Sequence, residues 1–180
     1  MNATGRIVSG LLVLGALGSA TVAVASASEA KPAASDYAFM CTTPAGSPCH
    51  WDSSHTITVS GAGIDSAVSQ VAQATGLTMQ VVSGPADITV TAGSALATER
   101  AGEATLHHSD AGIINSASIV VSEQTPAALV HETLIHELGH AVGLDHAAGA
   151  NEVMSAVLTG QNDYQAGDLA GLRAVGTLGR

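Results

Sequence analysis

His136-Glu137-Leu138-Gly139-His140-Ala141-Val142-Gly143-Leu144-Asp145-His146 is the stretch on which the reading of this 180-residue chain turns. Good helix formers and apolar residues flank it, so a helix is predicted from about Pro126 to Val142. A step of four residues at about 100° each brings His136 and His140 to one face of that helix. Two imidazoles so placed supply half of a tetrahedral zinc site, at about 2.0–2.1 Å per Zn–N bond. Glu137 is one position from the first ligand, so its carboxylate can reach a water on the metal without ligating it. Gly143 takes a positive φ at little cost, which lets the helix stop and the chain turn back to deliver His146 as third ligand. The fourth position is then left to water, as in a catalytic rather than a structural zinc site. The opposing reading is a surface helix that happens to carry histidines. Gly143 and His146 at this spacing argue against it. The upstream pair His131-Glu132 has no histidine four residues on and is read as ordinary helix residues.

Working outward, His55–Ser60 alternates β-branched residues and is predicted as a strand. Gly63–Thr75 places Ile64, Ala67, Val68, Val71, Ala72 and Thr75 at helical spacing, with Gly76 as the stop. Leu77–Val82 and Asp87–Thr91 read as further strands, separated by a turn at Ser83-Gly84-Pro85. Strand, helix and strand in that order suggest a right-handed crossover over one sheet face. Ala92–Arg100 has no period and reads as a loop. Gly102–His107 and Ile113–Ser122 read as strands. Thr125 is expected to cap the ligand-bearing helix, with Pro126 at its first position. Asp163 is expected to cap a last helix through about Val175, burying Leu169, Leu172 and Val175.

Residues 1–27 look like a secretory signal. Arg6 is a modest positive start, Ile7–Val24 is apolar, and Ala23-Val24-Ala25 and Ala25-Ser26-Ala27 both fit a cleavage site. The alternative is a retained anchor; no second apolar stretch could span a bilayer. Secretion to an extracellular location is therefore expected. Export to an oxidising compartment makes a Cys41–Cys49 disulfide the default, with free thiols as the alternative. Residues 28–50 form a leader that holds this loop, with Ala30–Met40 read as flexible. Residues 51–180 are expected to form the domain that carries the metal site. The net charge of −10, with few and scattered basic residues, leaves no patch for nucleic acid or anionic lipid. Aromatics are scarce, so the core must be aliphatic.

The chain resembles the metzincin clan of zinc peptidases, and most closely the small matrixin-like secreted bacterial type. The residues His136–His146, the downstream Met154 and the order of strand, helix and strands carry the likeness. It implies an α+β zincin fold: a twisted mixed β-sheet, an active-site helix, a first crossover helix and a C-terminal helix. It implies one catalytic zinc ion held by His136, His140 and His146, with Glu137 as general base. Met154 would sit in a tight turn beneath the metal; a plain core methionine is the alternative. Gly102–Leu106 would be the sheet edge on which a protein or peptide substrate adds as an extended antiparallel strand. Animal matrixins carry a second zinc and calcium on a long loop. Here that loop is short, and His107, His108 and Asp110 echo only part of such a site, so a solvated turn is expected. Calcium is possible but unsupported: Asp65, Asp87, Asp163 and Asp168 form no loop motif and are expected to cap helices and turns. No tyrosine is read after Met154, so none is expected to stabilise the oxyanion from that turn.

The resulting expectation is a secreted, monomeric zinc endopeptidase. A zinc-binding extracellular interaction module without catalysis is the first rival, though such a module needs no carboxylate beside its ligands. A zinc hydrolase acting on bonds other than peptides is the second.

Overall fold

The computed structural model describes residues 5–12, 37–94, 100–178 and 180. Among the described residues six strands form one mixed sheet: β1 (Gly5–Leu12), β2 (Ile57–Ser60), β3 (Met79–Val81), β4 (Ile88–Gly93), β5 (Arg100–His108) and β6 (Ile114–Ser122), in spatial order β1-β5-β6-β4-β2-β3. The β3, β2, β4 and β6 strands are mutually parallel, whereas β6–β5 and β5–β1 are antiparallel. Parallel neighbours cannot be joined by a hairpin. Helix α1 (Asp65–Thr75) supplies the crossover from β2 to β3.

Helix α2 (Val130–Ala141) lies against β5 and β6, α1 packs on α2 and β3, and α3 (Ala166–Thr177) packs on α1. The α1–α3 approach is very close, since a Cβ on Gly176 would overlap the Thr75 carbonyl. Ala67, Val68, Val71 and Thr75 are the buried stripe of α1, and Gly76 closes it in the left-handed region at φ 73°. The core is aliphatic as composition requires: Ile57, Ile64, Ile88, Leu106, Ile119, Ile135, Leu138, Leu144 and Leu172 are fully buried. Trp51 joins them and donates its Nε1–H to the Ala141 carbonyl at 2.9 Å, satisfying an acceptor in the last turn of α2.

Several local expectations shift. Thr125 does not cap the ligand helix: its hydroxyl donates to Ala101 O, and a short 3₁₀ turn (Ala127–Leu129) precedes α2. Asp163 does not cap the last helix either. Gln165 and Asp168 do so through a reciprocal capping box, and α3 starts later than expected. Ala92 and Gly93 extend β4, and Arg100 and Ala101 begin β5, so the expected loop shortens; residues 95–99 lie outside the described residues. Of the expected leader, residues 28–36 lie outside the described residues, but residues 37–40 are tied down. Phe39 bridges Leu144, and Met40 N–H donates to Gly143 O at 2.9 Å. Cys41 and Cys49 form a disulfide with Cα atoms 5.5 Å apart, and both are buried. β5 is not the sheet's edge: β1, from the stretch read as an export signal, lies outside it. No helix among the described residues is long and apolar enough to cross a membrane.

Candidate metal centre

Helix α2 carries His136 and His140 on one face, both fully buried, as their spacing dictates. The helix ends at Ala141, and Gly143 takes φ 114°, a region that penalises any residue with a Cβ. That turn brings back His146, which is half-buried. The three rings meet in a triangle, with centroid separations of 4.6 Å (His136–His140), 4.8 Å (His140–His146) and 5.3 Å (His136–His146). One ligand atom from each lies within 4.8 Å of the others.

Hydrogen bonding decides which nitrogens face inward. His136 Nδ1 lies 2.7 Å from Val153 O, and His140 Nδ1 lies 2.7 Å from Leu144 O. Carbonyls only accept, so in the neutral rings Nδ1 carries the proton and Nε2 keeps its lone pair. His136 Nε2 and His146 Nε2 are buried without a hydrogen-bond partner. His140 Nε2 is met by Ser9 Oγ at 3.1 Å. Buried nitrogens left in this state are costly unless something accepts their lone pairs. A zinc ion does so, and main-chain carbonyls behind metal-bound histidines are the usual supports. The residues present therefore fit a zinc ion with three nitrogen ligands.

Burial holds His136 well below the ordinary histidine pKa and brings His140 down to about 4, the Leu144 carbonyl opposing the latter shift. Burial lowers His146 too, against the neighbouring Asp145. Neutral rings are what metal ligation needs. Glu137 is fully buried, and neither carboxylate oxygen has a partner. Burial first, and then the Glu103 carboxylate, push it well above the usual carboxylate range, with Arg100 pulling the other way. It faces β5 closely: a Cβ on Gly102 would stand 2.6 Å from Glu137 Oε1.

Met154 is fully buried in the turn after His146, and a Cβ on Gly139 would stand 2.5 Å from its sulfur. Met154 thus packs directly beneath the helix turn that joins the two α2 histidines. Asp168, expected to cap a helix or turn, does both here, and Glu132 ties down the segment that follows. The buried Asp168 carboxylate accepts the Val153, Met154 and Gln165 amides at 2.8, 3.0 and 2.9 Å. Glu132, read as an ordinary helix residue, is buried and accepts the Thr159 and Gly160 amides at 2.8 and 2.9 Å. Tyr164 does follow Met154, ten residues on, but its hydroxyl donates to Ile135 O at 2.7 Å inside the core. For Glu132 the only sequence signal was polarity within an apolar frame.

The other candidate ligands do not assemble. Among the described residues His107, His108 and Asp110 form no ligand cluster; the cluster that holds His108 is completed by Cys41 and Cys49, which are spent in the disulfide. Asp87 accepts from Thr58 N–H and hydroxyl, and Asp65 stands in the first turn of α1.

A mixed sheet over a helix bearing two of three convergent imidazoles, with a buried methionine turn below, defines the class: a metzincin-type zinc peptidase fold. The matrixin family model matches residues 34–175, and the chain belongs to that family. Membership indicates zinc-dependent peptidase activity and protein substrates. No curated relative matches the chain.

Proposed function

We propose that the chain is a secreted zinc endopeptidase in which Glu137 is the general base. The observation that carries this is a pair of orphans: inward-facing histidine Nε2 atoms beside a buried carboxylate with no partner of its own. A structural site would have no use for the second. Zinc bound to His136, His140 and His146 would supply Lewis acidity, lowering the pKa of water toward ~7 and polarising the scissile carbonyl. Glu137 then accepts the proton of the attacking water and hands it to the leaving amine. Its raised pKa matches that double duty better than an exposed carboxylate would. Carbonyls of Val153 and Leu144 hold His136 and His140 in the ligating tautomer. With β1 removed, β5 would offer an edge on which an extended peptide adds by main-chain hydrogen bonds. Export is supported by the apolar start of the chain and by the disulfide.

The test is peptide hydrolysis by zinc-loaded protein, chelated protein and Glu137→Gln. Loss of hydrolysis with metal retained in Glu137→Gln is expected. Undiminished turnover in that variant would overturn the base assignment, and zinc-replete wild type inert on a broad peptide library would favour a binding module.

A further inference from the structure

The strand that occupies the cleft beside β5 belongs to this chain. β1 pairs with β5 antiparallel over its whole length, from Gly5 opposite His108 to Leu12 opposite Arg100. Side chains alternate along a strand, so Ser9 and Leu11 share a face and Val8 takes the other. The burial follows suit: Leu11 is fully buried and Val8 is 45% exposed. Ser9 Oγ stands 3.1 Å from His140 Nε2, the nitrogen that the ligand set turns inward. Leu11 lies opposite Gly102, the residue whose missing Cβ leaves room for Glu137. One face of β1 therefore covers both a ligand histidine and the carboxylate.

We propose that Gly5–Leu12 is an intramolecular, substrate-like occupant that keeps the uncleaved chain latent. It takes the main-chain hydrogen bonds a substrate strand would need, puts a hydroxyl before the histidines, and anchors itself through Leu11. Cleavage at the expected export signal, between Ala25 and Ser28, removes β1 and frees β5. Release from the cell and opening of the cleft become one event, with no cysteine required to block the metal. This inference rests on the reading of the cleft as a peptide site.

The test uses the full chain and a fluorescent peptide of sequence Gly5–Leu12, with binding read by anisotropy in chelated protein. Leu11→Asp should eject β1 and bind the peptide at least tenfold more tightly than wild type. Val8→Asp should behave as wild type, because its side chain already faces water. Amide exchange checks both chains: protection of residues 5–12 should vanish in Leu11→Asp, while β6 amides that pair with β4 stay protected. Equal peptide affinity in wild type and Leu11→Asp, or unprotected residues 5–12 in wild type, would overturn the proposal. Zinc-loaded hydrolysis separates the two readings. A Leu11→Asp chain that binds peptide but cuts none refutes the peptidase and leaves the occupancy intact.

Discussion

His136 donates its Nδ1–H to the carbonyl of Val153 across 2.7 Å, and the N–H of that same peptide, on Met154, donates to Asp168 on the far side at 3.0 Å. The carboxylate accepts the amides of both Val153 and Met154, so it fixes the orientation of the turn that orients the ligand. Asp168→Ala leaves buried amides unpaired, costing about 1–3 kcal/mol each before relaxation. It should also lower zinc affinity by roughly 10–100-fold, the usual effect of removing support behind a ligand. Competition with a chelator of known affinity measures the second effect. Unchanged zinc affinity in a folded variant would show that Val153 needs no such anchor.

Glu137 is expected to trade stability for chemistry in metal-free protein. Its pKa is raised by burial, so the folded state holds its proton more tightly than the unfolded state. The corresponding contribution is full below the unfolded value of 4.5 and is lost as pH rises through the folded value. Glu137→Gln should therefore be more stable than wild type at pH ~8, with the gap shrinking toward pH ~4.5. The histidines act with the opposite sign: His140, lowered to about 4, costs stability as pH falls below 6.5. That cost is common to both proteins and cancels in the difference. Urea unfolding of the two chelated proteins across pH checks the sign, and a gap that widens on acidification would contradict it.

Trp51 reaches α2 from outside the ligand stretch. Trp51→Phe keeps an aromatic body but orphans the Ala141 carbonyl, the acceptor next to His140 in sequence. A loss of about 1–3 kcal/mol is expected in denaturant unfolding. Trp51→Phe matching wild type within error would mean that water replaces the indole there.

The convergence of the three imidazoles was legible because it depends on local periods. A helix repeats its faces at fixed spacing, and Gly143 announces a turn that only a residue without Cβ adopts easily, here at φ 114°. The order of α1, β4, β5 and β6 followed from the same periodicities. The caps at Thr125 and Asp163 were misplaced because several polar residues near a helix start compete, and tertiary partners choose among them. Thr125 found Ala101 instead, and Gln165 with Asp168 outbid Asp163. Asp168 was expected as a cap, but its partners Val153 and Met154 lie 15 and 14 residues away, and those of Glu132, read as an ordinary helix residue, lie 27 and 28 away, beyond any local pattern. The first strand was hidden for another reason. A short apolar run such as Ile7–Leu12 serves an export signal, a helix or a buried strand equally well, and only the pairing with β5 decides.

Gly139 and Met154 should prove coupled. A Cβ at Gly139 would stand 2.5 Å from Met154 Sδ and 3.0 Å from its Cε, so Gly139→Ala must displace the thioether. The sulfur sits near the end of a flexible side chain, which keeps the expected cost to about 1–3 kcal/mol rather than loss of the fold. Met154→Ala removes that obstacle but opens a cavity in a fully buried site, at roughly 2–5 kcal/mol. In the double variant the new methyl enters the space the methionine left. The combined loss should therefore fall short of the summed single losses by about 1 kcal/mol or more. Denaturant unfolding of the four chelated proteins completes the cycle. Strict additivity would mean that the methionine turn and the ligand helix do not press on each other at this point.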